Sequence, residues 1–287
     1  MKKFTKVICV LLLLSVSFLK AEESGNEVSP FVLITMPKSG SHLAIKALHL
    51  LTGAPSIWHT RYMSHHYIAR EDGFLYTHFC LSPHLEEAYR ELPKLKKIIN
   101  IRDLRDVCIS VIHQIHKSAW PGLTGAQREY FNNLPFDDQL LFVINYDYNV
   151  NEVAHLAPNS LQVAMLKVAR QAIKYCNDPN NLICKYENLV GAEGGGTQEA
   201  QLEELKMMAH ALQIQMTDDQ LEQVAAKLYG DSYNPFGKEE FGNFKSTFHQ
   251  GKIGLWRILF NEEHKRAFKK KLGKELIALG YEKDDNW

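Results

Sequence analysis

The chain has 287 residues, of which 45% are hydrophobic and 23% charged, and its 33 basic and 33 acidic side chains cancel to a formal net charge of +0. That is the composition of an ordinary globular protein, with room for one sizeable domain or two small ones. A neutral balance argues against a broad nucleic-acid-binding surface, so no nucleic-acid partner is expected, while a local basic pocket is still allowed.

Lys2, Lys3 and Lys6 precede an apolar run from Val7 to Leu19, and Lys20-Ala21 is followed by Glu22-Glu23. A basic start, a short apolar core and a small residue at a cut site form the pattern of a secretory signal peptide. The run falls short of the ~20 apolar residues that span a bilayer comfortably. Residues 1–21 are therefore read as a signal peptide, with a short membrane anchor as the alternative. The chain is expected in the secretory pathway, with no stable membrane span after cleavage. Residues 22–30, polar and containing Gly, Ser and Pro, read as a linker.

Phe31 to Met36 is a continuous apolar run ending in a turn, as expected of a strand buried on both faces. Ser41 to Leu51 is helical in pattern, and Thr52-Gly53 ends it. Phe74 to Phe79 reads as a second strand, Pro83 to Leu92 as a helix and Lys96 to Ile101 as a third strand. Asp103 can cap the helix LRDVCISVIHQIHK. The stretch from Gly122 to about Asn159 has aromatics without a clean period and reads as helices and loops around an acceptor pocket. Ser160 to Cys176 is an amphipathic helix, Asn181 to Tyr186 a fourth strand and Gly194-Gly195-Gly196 a flexible surface loop. Helices follow near 198–212 and 217–228, and Tyr229 to Gly254 reads mostly as loop. A basic helix from Glu262 to Leu272 and a short one ending at Leu279-Gly280-Tyr281 close the chain. Alternating strands and helices predict an α/β fold, a central and mainly parallel sheet with helices on both faces, in one domain over residues 31–287.

Of the five cysteines, Cys9 lies in the leader, and Cys80, Cys108, Cys176 and Cys184 show no CxxC spacing. Four thiols in an exported chain could form two disulfides. Cys108 and Cys184, however, sit in apolar runs and read as small buried hydrophobes. No metal site is expected from this spacing, and the adjacent His65-His66 reads as surface.

Four pieces carry chemistry. In Met36-Pro37-Lys38-Ser39-Gly40-Ser41, a lysine, two hydroxyls and a glycine sit where strand gives way to helix. The first turn of a helix offers open N–H groups and the positive end of the dipole, so an anion can sit there. The plainer reading is a capped helix with an exposed lysine. GxxxxGK[ST] is absent, which argues against a standard ATP loop. In INIRDLRDVCIS, Arg102 ends a buried strand, where such folds bind ligands, and an arginine there can grip a phosphate with paired hydrogen bonds. Surface pairing of Arg102 or Arg105 with Asp103 or Asp106 is the alternative. His78, at the end of the second strand, can accept a proton from an attacking hydroxyl, although a lone histidine is more often structural. In FHQGKIGLW, glycines let backbone N–H groups approach an anion, and the alternative is a plain connecting loop.

Taken together, these pieces resemble the sulfotransferase family that uses 3′-phosphoadenosine 5′-phosphosulfate (PAPS). The family's phosphosulfate turn PKSGT is matched by Pro37-Lys38-Ser39-Gly40-Ser41, and its strand-end THLP by Thr77-His78-Phe79. Its RxxxDxxxS element is matched by Arg102, Asp106 and Ser110, its YExL by Tyr186-Glu187-Asn188-Leu189, and its RKGxxGxW in part by Gly251, Gly254 and Trp256. The closing LGYEKDDNW looks like that of bacterial members. The resemblance implies a P-loop nucleotide-kinase-like sulfotransferase fold and PAPS as donor without a metal. It further implies His78 as general base and Lys38 as the stabilising cation. Lys38, Ser39, Gly40, Ser41 and His42 would bind the 5′ side of the donor. Arg102, Ser110 and Gly251 would hold the 3′-phosphate, and Tyr186 would border the adenine. The acceptor would be a small molecule, a glycan or a protein. The chain departs from the pattern at His249-Gln250, where the family has Arg-Lys. It departs again at Leu43, where a tryptophan often stands, and at Tyr76, where some members place a lysine. Lys252 is a candidate substitute for the missing cations. Two alternatives stay open: a nucleotide-binding module without activity, and a P-loop-type small-molecule kinase.

Overall fold

The apolar run at the head of the domain is the central strand of a parallel sheet. In this computed structural model, which describes residues 31–53, 56–59, 73–78, 96–117, 125–145, 165–230 and 250–287, β1 (Phe31–Thr35) is buried along its whole length. The leader, the linker, the helix expected over 83–92, His65-His66 and Cys80 lie outside the described residues. β2 (Ser56–His59), β3 (Gly73–His78), β4 (Lys96–Ile101) and β5 (Asn181–Lys185) complete the sheet. Its order is β2-β3-β1-β4-β5, and every neighbouring pair is parallel. Parallel strands need crossovers, and helices supply them. α1 (Ser41–Thr52) follows β1 and α2 (Leu104–Lys117) follows β4. α3 (Gly125–Asn133), α4 (Phe136–Asn145) and α5 (Met165–Cys176) lead back to β5, and the one-turn α6 (Tyr186–Leu189) leaves it. α7 (Gln198–Ala211), α8 (Asp218–Ala226), the one-turn α9 (Trp256–Leu259) and α10 (Glu262–Ala278) complete the described elements.

Because side chains alternate across a strand, the sheet builds two cores. Val32, Ile34, Ile99 and Ile101 pack with residues of α2, α4, α5 and α10 on one face. Phe31, Leu33 and Ile98 pack with residues of α1, α7 and α8 on the other. This is the expected α/β architecture, a parallel sheet with helices on both faces. Cys108 and Cys184 are fully buried free thiols, and burial pushes both well above the ordinary cysteine value.

Three details differ from the sequence reading. The sheet has a fifth, edge strand, the four-residue β2, which is too short to show a period. The two helices expected at the C-terminus are one, α10, which continues through Gly273. A Cβ on Gly273 would lie 3.0 Å from Asp285 Oδ1, so the glycine gives close access to the tail rather than ending the helix. The Gly194–Gly196 stretch is not a loose surface loop. Gly194 is buried in a 3₁₀ turn (Ala192–Gly194), and its carbonyl accepts the Ile253 N–H at 3.0 Å.

The C-terminal tail is tied to the β4–α2 junction. Arg105 is 1% exposed and pairs with Asp103 at 2.7 Å and Glu282 at 2.6 Å. Its guanidinium lies 3.5 Å from the Trp256 ring centroid and 4.5 Å from that of Trp287. Glu187 accepts the Asp103 N–H at 2.8 Å and the Tyr281 hydroxyl at 3.0 Å. Cation–π contact and desolvated ion pairing thus hold residues 281–287 against the turn that presents Arg102.

Candidate functional site

The site is built at the C-terminal ends of β1, β4 and β5, where open parallel sheets place their ligands. In the β1–α1 turn both hydroxyls are engaged internally. Ser39 Oγ lies 2.7 Å from the Met36 carbonyl and 2.5 Å from Asn100 Oδ1, with its one proton available to either. Ser41 Oγ donates to Thr35 Oγ1 at 2.8 Å. These bonds join the turn to β4 and to its own strand. The Ser39 N–H is likewise spent inside the turn, on the Met36 carbonyl at 3.1 Å, so Ser39 shapes the turn, and the amides that face an anion begin at the first turn of α1. Lys38 and Gly40 both have left-handed backbone, at φ 65° and 82°. Gly40 is the N-cap residue of α1, and no side chain caps the helix. An uncapped first turn carries amide donors and the positive end of the dipole.

Gly40 is required for shape as well as for conformation. A Cβ there would lie 2.3 Å from Tyr186 Cδ2 and 2.5 Å from Cε2, so the turn rests directly on the Tyr186 ring. The left-handed backbone costs a non-glycine residue about 1–2 kcal/mol, and overpacking adds about 1–3 kcal/mol. Gly40→Ala is therefore expected to destabilise the protein by about 2 kcal/mol or more, measured as a lower urea midpoint with an unchanged slope.

Lys38 donates from Nζ to Gln114 Oε1 of α2 at 2.9 Å. Burial, with the Arg102 and Lys117 charges adding to it, pushes its ammonium down to about 8. His42, in the first turn of α1, is pushed down to about 4 by burial and then by Lys38. It is neutral at pH 7 and adds no charge to the site, so its contribution is its place in the first turn of the helix.

Arg102 directly follows β4 and is the hub. Nη1 lies 3.4 Å from the Lys38 carbonyl, Nη2 donates to the Lys252 carbonyl at 2.9 Å, and the guanidinium sits 4.2 Å from the Tyr186 ring centroid. Its Nε is buried with no hydrogen-bond partner. Among the described residues no carboxylate pairs with it, because Asp103 pairs with Arg105 and both Asp106 oxygens take backbone N–H groups. The pairing alternative is therefore realised by Arg105, in a buried setting, while Arg102 makes no direct hydrogen bond to a carboxylate among the described residues. Ser110 is half-buried and stands four residues beyond Asp106, on the same face of α2. Tyr186 is 5% exposed, with its ring packed between Gly40 and Arg102.

The 250–256 loop closes the other side. Gly251 takes a left-handed backbone, φ 62°. Tyr229 donates its hydroxyl to the Gln250 carbonyl at 2.9 Å, and Asp106 accepts the Gly254 and Trp256 N–H groups at 2.6 and 3.1 Å. Lys252 donates from Nζ to the Glu193 carbonyl, and its ammonium faces the Tyr229 ring at 5.8 Å. His78 ends β3, and its Cα is paired with that of Thr35, so the register places it at the same sheet edge as the β1–α1 turn. The structure thus brings Lys38, Gly40, Tyr186 and the 250–256 loop together around Arg102.

Sequence reasoning missed Gln114 and the anchoring role of Asp106. The signal for both is the four-residue step Asp106, Ser110, Gln114, which puts three polar residues on one face of a largely apolar helix.

No family model and no curated protein matches the sequence. Solved structures do match it. Mouse sulfotransferase SULT7A1 complexed with PAP superimposes with a TM-score of 0.56 at 16% identity, over 88% of each chain. Retinol dehydratase in a complex with retinol and PAP gives 0.55 at 15% identity, over 88% of this chain and 83% of that one. Retinol dehydratase with androsterone and the inactive cofactor PAP gives 0.53 at 16% identity, over 88% and 82%. At these identities the likeness shows the fold: this chain has the P-loop-like sulfotransferase fold.

Proposed function

We propose that the protein is a PAPS-dependent sulfotransferase that moves a sulfuryl group to an acceptor hydroxyl or amine. The observation that carries this reading is Arg102, a desolvated arginine with a buried, partnerless Nε and, among the described residues, no carboxylate hydrogen-bonded to it, bridging two glycine-containing loops. The nearby Asp106 and Glu187 charges offset its burial only through space, and a desolvated cation whose N–H donors are not all satisfied is costly unless an anion completes it. The PAP (adenosine 3′,5′-bisphosphate) in the neighbours of the same fold supports a nucleotide with two separate phosphates. The residues fit such a group. Lys38 and the backbone of Gly40, Ser41 and His42 would hold its 5′ side, while Ser39, its N–H bonded to the Met36 carbonyl, would shape the turn rather than touch the ligand. Arg102, Ser110 and the Gly251 amide would hold its 3′-phosphate. Tyr186, packed against Gly40 and the Arg102 guanidinium, would border the adenine.

The donor supplies the sulfuryl group; the chain supplies position and charge. Lys38 would neutralise charge on the transferring group, and the α1 amides would receive the leaving phosphate, fixed before the reaction begins. His78 would accept the proton of the attacking hydroxyl. The acceptor would be a small molecule, a glycan or a protein, met in the secretory pathway if the leader acts as a signal.

One observation favours a second reading, nucleotide binding without transfer. The Lys252 ammonium hydrogen-bonds to the Glu193 carbonyl, so it is engaged elsewhere as the substitute cation for the sites of His249-Gln250. Transfer of labelled sulfate from PAPS to an acceptor panel separates the two. Turnover supports the enzyme, and PAP binding without any turnover supports the module. A small-molecule kinase would instead be stabilised by ATP with Mg²⁺ and not by PAP.

Lys38 also gives the site a pH signature. Below pH 8 its ammonium is charged in the free protein. Above that, binding a dianion must first restore a proton, so PAP affinity is expected to fall as pH rises from 8 to 9.5, with proton uptake on binding. Calorimetry in buffers of different ionisation heats measures both. Without ligand the sign reverses: the unfolded chain keeps this proton up to its ordinary value of 10.5 while the folded chain loses it near 8. The cost of burying the charge, present in full below pH 8, is therefore relieved between those values.

A further inference from the structure

We infer that Asp106 is a positioning residue of the anion site: it fixes the 250–256 loop against Arg102 and, by spending both oxygens on that loop, does not itself pair with Arg102. The inference rests on the donor-binding reading above and assigns that site a residue which touches no ligand.

Asp106 stands in the first turn of α2, four residues beyond Arg102, and is 2% exposed. A carboxylate so near a guanidinium would ordinarily pair with it in a bidentate bond and cancel its charge. Here Oδ2 takes the Gly254 N–H at 2.6 Å and Oδ1 takes the Trp256 N–H at 3.1 Å. With both oxygens aimed at the loop, Arg102 turns to two carbonyls, Lys38 and Lys252. Arg102 and Asp106 therefore hold one loop by complementary groups, the arginine by the carbonyl of Lys252 and the aspartate by the N–H groups of Gly254 and Trp256. The consequence for Gly251 is direct. Its N–H can serve an anion beside Arg102 only while the next five residues are held. Burial pushes the Asp106 carboxyl above its ordinary pKa, while the nearby Arg102 charge and the Gly254 and Trp256 amides oppose that rise.

The test exploits an opposition of signs. If Asp106 acted only as a nearby negative charge, its neutralisation would strengthen anion binding. If it positions the loop, neutralisation weakens it, because an Asn side chain turns an NH₂ toward one of two N–H donors. PAP is titrated into wild type, Asp106→Asn, Arg102→Ala and the double variant, with amide exchange of residues 250–256 followed in parallel. The expected results are at least tenfold weaker binding by Asp106→Asn, faster exchange at Gly254 and Trp256, and a double variant no weaker than Arg102→Ala alone. Equal or tighter binding by Asp106→Asn overturns the inference. If Asp106→Asn fails to fold, Asp106→Glu keeps the charge but moves it. Wild-type affinity with lost amide protection in that variant overturns the inference, and joint loss sustains it. If wild type does not bind PAP, the donor reading fails by itself. Pyrophosphate then serves as the probe: stabilisation of wild type that is lost in Asp106→Asn sustains the inference, and equal stabilisation, or none in either, overturns it.

Discussion

Replacing His78 by alanine is expected to slow sulfuryl transfer roughly 10²–10⁴-fold, the range for removing a positioned general base, while leaving the affinity for PAP unchanged. The sheet register sets this separation. His78 closes β3 beside Thr35, at the strand end next to the turn that carries Lys38, and the cationic and amide donors come from other segments. In the proposed reading affinity would reside in Lys38, the α1 amides and Arg102, and the proton transfer in His78. The pH profile gives an independent check. A general base acts only when unprotonated, so an acid-side fall in rate that belongs to His78 should be present in wild type and absent in His78→Ala. His42, the other imidazole at this edge, is pushed down to about 4 by burial and by Lys38, and cannot produce that limb. The measurement is labelled transfer from PAPS by wild type and His78→Ala across pH 5 to 8. Equal rates in the two proteins would remove His78 from the chemistry.

Arg105→Ala is expected to lower the free energy of unfolding by about 3–5 kcal/mol, the cost of removing one partner from a buried ion pair. Arg105 is 1% exposed, lies against the Trp256 and Trp287 rings and neutralises both Asp103 and Glu282. Truncation leaves the 9%-exposed Asp103 carboxylate with a lost counter-charge and opens a void between two indoles. Glu282 is more exposed, at 21%, so most of the penalty falls on Asp103. Urea unfolding followed by tryptophan fluorescence reads the loss. Arg105→Met, which refills the volume without the charge, should lose less stability than Arg105→Ala if the void matters, and as much if the ion pair alone does. Because the tail braces the junction that presents Arg102, Arg105→Ala should also weaken PAP binding, without a direct contact to it.

Much of the scaffold was legible in the sequence, and the reason is local. The run Phe31 to Met36, the turn at Lys38-Ser39-Gly40 and the helical period after Ser41 are near-neighbour signals, as is Arg102 at the close of KKIINI. Their strand, turn and helix assignments agree with β1, α1 and β4. What was hidden depends on distant partners. Arg105 in RDLRD reads as a solvated charge until Glu282, 177 residues away, closes over it. Asp106 reads as a helix-face acid until Gly254, 148 residues on, meets it. Gln114 is anonymous on α2 without Lys38, 76 residues before it. Gly273 reads as a stop, and only the packed tail explains a glycine inside a helix. β2 carries too few residues to announce itself, and sheet pairing with β3 is what makes it a strand. The two left-handed residues of the turn were half-visible. Gly40 invites that conformation, while Lys38 is drawn into it by the bonds that tie the turn to β4.

The claim that Lys38, Arg102 and the two loops form a donor site for a nucleotide with phosphates at both the 5′ and 3′ positions is tested most directly by calorimetric titration of wild type with PAP, 5′-AMP and ATP with Mg²⁺ at pH 7. The account predicts that PAP binds at least tenfold more tightly than 5′-AMP, that ATP with Mg²⁺ does not replace it, and that Arg102→Ala erases the preference for the 3′-phosphate. Equal binding of PAP and 5′-AMP, or preference for ATP with Mg²⁺, would contradict it.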